Sequence, residues 1–129
     1  MKYYRVDIQV DFDKPRTMPP AKWSNGPWQA VGYFQYFYCT DQSKEKAKKM
    51  AIEHVISNET DVTSCQIRCD RIAWMRRLTS YDQLSGCSMG ELTQEMFDNR
   101  NEYGIWYCST KKYYVSEADY AASIDEDDL

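Results

Sequence analysis

Tyr4, Val6, Ile8, Val10 and Phe12 alternate with Arg5, Asp7, Gln9 and Asp11. This period of two, with one apolar and one charged face, predicts a strand that keeps one side wet, as antiparallel sheets do. The pattern stops over 13–29, which hold all four prolines (Pro15, Pro19, Pro20, Pro27), Asn25-Gly26, and the tryptophans Trp23 and Trp28. Because proline lacks an N–H, neither a helix nor a ladder is expected to run through this segment. Connections in compact domains are mostly much shorter than this aromatic loop. A second strand over about 30–40 carries Tyr33, Phe34, Tyr36, Phe37 and Tyr38. Aromatics at both parities indicate a central strand, or one with a helix over one face and the preceding loop over the other.

Helical spacing takes over at about 42–57, with Asp41 or Ser43 as cap. Ala47, Met50, Ala51, His54 and Val55 form one stripe, with Lys44, Lys46, Lys48 and Lys49 largely opposite. A third strand is expected over about 62–78, with Cys65, Ile67 and Cys69 inward. Ile72 and Trp74 have the wrong parity for that face, and a bulge near Asp70-Arg71 would restore them to it. After a loop over 79–87, the capping box Ser88-x-x-Glu91 opens a short helix to about Asn99, with Leu92 and Met96 an i, i+4 pair. A fourth strand spans about 102–115, and Ser116-x-x-Asp119 caps a short C-terminal helix. The expected fold is α+β: an antiparallel or mixed sheet of about four strands with two main helices on one face, in the order β-β-α-β-α-β plus that last helix. Residues 1–124 form a single domain and 125–129 an acidic tail.

Composition narrows the class. The 129 residues are 43% hydrophobic, 28% charged and 15% aromatic, enough for one core burying roughly two-thirds of the unfolded surface. A disordered chain, a collagen repeat and a coiled coil are excluded. No apolar run approaches the ~20 residues needed to span a bilayer, and the start shows no secretory h-region. The five cysteines, Cys39, Cys65, Cys69, Cys87 and Cys108, are an odd set without C-x-x-C. They read as small buried side chains of a cytoplasmic protein. Cys65 and Cys69 on one strand would lie ~13 Å apart, too far for a disulfide.

Candidate chemistry is thin. His54 is the one histidine, so no multi-histidine metal site exists, and on the apolar stripe it reads as a packed side chain. The five glycines (Gly26, Gly32, Gly86, Gly90, Gly104) make no phosphate-binding motif, and no calcium loop occurs. Gly86 to Gly90 reads as a turn and cap. Residues 31–38 match an RNA-recognition strand only at Gly32, Tyr33 and Tyr38, and the acidity disfavours a nucleic-acid partner. Neither a catalytic residue nor a metal nor a cofactor is therefore expected. A rival reading keeps the cluster Arg68, Arg71, Arg76 and Arg77 as a phosphate holder with His54 as acid or base, in a nucleotide- or RNA-binding protein or a phosphodiesterase-like enzyme.

Charge is distributed unevenly. Residues 1–112 hold all 16 Lys and Arg against 14 acids, a balance of +2, whereas 113–129 hold no base and six acids (Glu117, Asp119, Asp125, Glu126, Asp127, Asp128), which together give −4. Such a block either solubilises a chain or steers it onto a basic partner. Trp23 and Trp28, flanked by prolines, are candidate anchors in the same interface, or a lid folded back on the aromatic strand. In its size, its α+β pattern, its Tyr-rich strands and the end Asp125-Glu126-Asp127-Asp128, the chain resembles the small acidic immunity and anti-defence inhibitors of bacteria and phage. That resemblance implies a non-enzymatic protein that blocks a partner, a toxin or defence enzyme with a basic cleft such as a nuclease.

Overall fold

The computed structural model describes residues 1–84, 92–102 and 104–115. Its strands are β1 (Lys2–Met18), β2 (Trp28–Asp41), β3 (Cys65–Trp74), β4 (Ile105–Cys108) and β5 (Lys112–Tyr114), and its helices α1 (Lys44–Asn58) and α2 (Gln94–Asp98). All pairings are antiparallel. β3, β1, β2 and β4 lie in that order across the sheet, and β5 follows β4 along the outer edge of β2. The fold is thus α+β. Among the described residues there is no helix long and apolar enough to cross a membrane.

The alternation in β1 sets the layers. Tyr4, Val6, Ile8 and Val10 stand opposite Cys39, Phe37, Gln35 and Tyr33 of β2. With Phe12, they bury against Ala47, Ala51 and Val55 of α1. Helix α1 starts where Ser43 accepts a hydrogen bond from the Lys46 N–H at 3.3 Å, satisfying one of the free first-turn donors. The opposite parity of β2 carries Tyr36 and Tyr38, which join Leu84, Phe97, Trp106 and Tyr107 in a second cluster. Phe97 belongs to α2, capped by Thr93. The two helices therefore pack on opposite faces, contrary to the expectation of one face. Aromatics at both parities of β2 leave each face needing its own cover.

The expected bulge is present. Asp7 pairs with Arg71 and Ile8 with Cys69, so Asp70 is the extra residue, and Ile72 and Trp74 then lie opposite Val6 and Tyr4. β3 is shorter than expected, ending at Trp74 and beginning after a 3-10 turn at Val62–Ser64.

Two other expectations are corrected. The ladder does run past proline: Arg16, Thr17 and Met18 pair with Ala30, Gln29 and Trp28. Pro15 is tolerated because residues 12–15 bulge against Val31 alone, and β3 ends at its Cys65–Phe12 pair, which leaves that stretch of β1 at an edge. The fourth strand is split in two, making five among the described residues. Phe37 pairs with Cys108 but Phe34 with Lys112, one residue out of step. Ser109 fills the break: the Tyr36 N–H donates to its Oγ at 2.9 Å, and its own N–H donates to the Tyr36 carbonyl at 2.9 Å. The capping box at Ser88 and Glu91 and the C-terminal helix from Ser116 lie outside the described residues.

Gly32 is where β2 tolerates no side chain. A Cβ there would run into the Val10 carbonyl oxygen and the Tyr114 hydroxyl. Gly32→Ala is expected to cost about 1–3 kcal/mol through overpacking, read as a lower urea midpoint.

Candidate functional site

Residues 19–27 close the β1–β2 hairpin and carry three of the prolines. Ser24 knits this tip. Its Oγ accepts from the Ala21 N–H and donates to the Gly26 carbonyl, both at 2.9 Å, while its own N–H reaches the Ala21 carbonyl at 3.1 Å. Trp28 packs against the α1-side core. Trp23 lies on Trp28 with ring centroids 5.0 Å apart and remains 52% exposed. Of the two tryptophans, one folds back and the other stands on it in solvent.

Behind the tip, a charged network joins the hairpin to α1. Glu59, the C-cap of α1, has a side chain only 2% exposed. Its Oε1 accepts from Arg16 Nη1 at 2.6 Å and its Oε2 from the Tyr33 hydroxyl at 2.9 Å. The Arg16 guanidinium lies 3.9 Å from the Phe12 ring centroid and also donates to Cys65 Sγ at 2.9 Å. Burial alone would raise the Glu59 carboxyl, but the hydrogen bonds from Arg16 and Tyr33 hold it below its ordinary range. Burial and the neighbouring carboxylate push the Tyr33 hydroxyl upward. Because Arg16 pairs with Ala30 in the ladder, the network ties both strands of the outer hairpin to the helix end.

His54 meets Phe37 edge-on at 5.3 Å, and its Nε2 lies 3.6 Å from Cys108 Sγ. This places a cysteine beside the imidazole, which sequence spacing did not show. Burial pushes the Cys108 thiol up, and Cys39 as far as about 12. Cys65 and Cys69 are likewise raised by burial. Burial thus disfavours, at each described cysteine, the thiolate that a nucleophilic cysteine requires. Among the described residues, no group of three His, Cys, Asp or Glu comes together as metal ligands.

The bulge brings Arg68 and Arg71 to one face of the sheet, opposite Gln9 and Asp7, while Arg76 lies over Trp74. Arg68 donates to Gln9 Oε1 at 2.7 Å and lies 3.4 Å from Asp70. Arg71 stands opposite Asp7 in the ladder. Arg76 covers the Trp74 ring at 4.4 Å, and the Arg77 carbonyl accepts from Gln83. β3 lies at the far edge of the sheet from β4, so Arg68 and Arg71 are also remote from His54 beside Cys108. Glu117, Asp119, Asp125, Glu126, Asp127 and Asp128 lie outside the described residues. Arg16, Glu59 and Tyr33 escaped the sequence reading, because contacts across 26 and 43 residues leave no local pattern. The chain matches no known protein family, no curated protein and no solved structure.

Proposed function

We propose that this protein is a non-enzymatic inhibitor of the immunity or phage counter-defence kind, working in the cytoplasm by binding a partner enzyme through the hairpin tip. The observation that carries this reading is Trp23, half exposed on a Trp28 platform within a Ser24-braced, proline-flanked turn. A large aromatic held in place loses little freedom on binding, and such residues dominate interface energetics. The six acids of 117–128 add long-range attraction to a basic cleft, such as that of a nuclease. Four cysteines described as free thiols fit a reducing compartment.

Calorimetric mixing with the product of the neighbouring gene tests the reading. Trp23→Ala is expected to weaken the complex by roughly 30-fold or more, the scale of an interface hot spot, with thermal unfolding unchanged. Removing 125–129 is expected to slow association and flatten its salt dependence while leaving dissociation alone. A complex indifferent to both changes, or no complex, would overturn the proposal.

A further inference from the structure

At the opposite end of β1 from the hairpin tip, a groove of about 470 Å³ is lined by Lys2, Tyr4, Gln42, Ser43, Lys44, Ile72 and Trp74. Its walls divide by chemistry, with Tyr4, Ile72 and Trp74 apolar and Lys2, Gln42, Ser43 and Lys44 polar. The bulge at Asp70 creates this wall, since it turns Ile72 and Trp74 onto the face of Tyr4 and Val6. Trp74 is 46% exposed. Lys2 Nζ lies 4.8 Å from its ring centroid and the Arg76 guanidinium 4.4 Å.

Among the described residues, Lys2, Lys44 and Arg76 make no ion pair, while the ion pairs that do form use Arg5, Arg16, Lys49 and Arg68. An aromatic ring orients a cation without consuming its N–H donors, so Lys2 and Arg76 are placed but keep donors to give. The nearby carboxylates are Asp41, which stands across the ladder from Lys2 and accepts the Gln42 N–H at 2.6 Å, Glu45 on the first turn of α1, and Asp70, which with Lys44, Lys48 and Arg71 lines an adjoining cleft. Among the described residues, Lys2, Lys44 and Arg76, with Lys48 and Arg71 of that adjoining cleft, outnumber these carboxylates, so this end is locally positive.

We infer that the groove binds a phosphate-bearing small molecule with an apolar or aromatic body, on the scale of a mononucleotide. The volume lies within the roughly 300–1,000 Å³ of small-molecule sites. The phosphate sits toward Lys2 and Lys44, and the body against Tyr4, Ile72 and Trp74. A phosphomonoester carries close to two negative charges at neutral pH, which matches the excess of cations over nearby acids. This site and the hairpin tip share no residue, so each reading stands or falls alone.

The full chain is titrated with AMP, adenosine, inorganic phosphate and an oligoglutamate peptide, followed by calorimetry and by the amide resonances of β3 and α1. AMP is expected to saturate below about 1 mM, with adenosine and phosphate each at least about tenfold weaker because each lacks half of the contacts. Lys2→Gln with Lys44→Gln, both on the surface and compatible with the fold, is expected to weaken AMP by roughly tenfold or more. Trp23→Ala is expected to leave AMP binding unchanged. Absence of saturation, adenosine or phosphate binding as tightly as AMP, AMP binding indifferent to the lysine pair, or tighter capture of the peptide would each overturn the inference.

Discussion

Glu59→Ala is expected to lower stability by about 3 kcal/mol, because it removes one side of a largely buried ion pair and leaves the other without its partner. The Tyr33 hydroxyl, on a residue 1% exposed, loses its acceptor, and Arg16 loses the carboxylate that holds it over Phe12. The side chain of Arg16 is 29% exposed, so it can turn to water, which keeps the cost at the lower end for broken buried pairs. Urea unfolding measures the loss. Glu59→Gln, which still offers an acceptor to Tyr33, is expected to lose less.

The same pair predicts a pH dependence. The Glu59 carboxyl ionises below its ordinary value of 4.5 when folded. The stabilisation is therefore complete above the unfolded value and disappears as pH falls through the lower folded one. The difference in urea midpoint between the natural chain and Glu59→Gln is expected to shrink steadily below pH 4.5. A difference that stays constant down to the acid transition would show that Glu59 contributes only through packing.

Phe37→Ala is expected to cost about 3–5 kcal/mol, the range for emptying a buried phenylalanine site. Phe37 is fully buried, sits opposite Val6 on one side and Cys108 on the other, and meets His54 edge-on. Strands on both sides and a helix above prevent the hole from closing, so little of the cavity term is recovered. A measured cost below about 1.5 kcal/mol, the scale of a tolerated volume-conserving swap, would mean that this region repacks. Phe37→Leu is expected to fall between the two.

Local pattern carried much of this fold. The alternation from Tyr4 to Phe12 placed β1 and its faces, and the parity break after Cys69 located the bulge at Asp70. What it missed depends on pairing rather than on the residues themselves. Pro15 reads as a ladder breaker, and the bulge of 12–15 against Val31 together with the end of β3 opposite Phe12 makes it harmless. The break at Ser109 is invisible in Ile105 to Tyr114, since it arises from the register each half takes against β2. The candidate sites divide the same way. Trp23 and Trp28 were legible as large aromatics among prolines. The Arg16–Glu59–Tyr33 network and the Lys2, Lys44 and Trp74 groove assemble residues from distant parts of the chain, and no short motif announces either.

The bulge at Asp70 also bears on how the molecule keeps to itself. Among the described residues β3 is an outermost strand, and its far side offers backbone groups that another chain could extend. An incoming strand would match the register on one side of Asp70 only and then fall a residue out of step. It would also have to lie along the charged run Arg68, Asp70 and Arg71. Irregularity and charge at an open edge are the usual guards against sheet-to-sheet polymerisation, so the residue that brings Trp74 opposite Tyr4 also protects a sheet this rich in tyrosine from fibre formation.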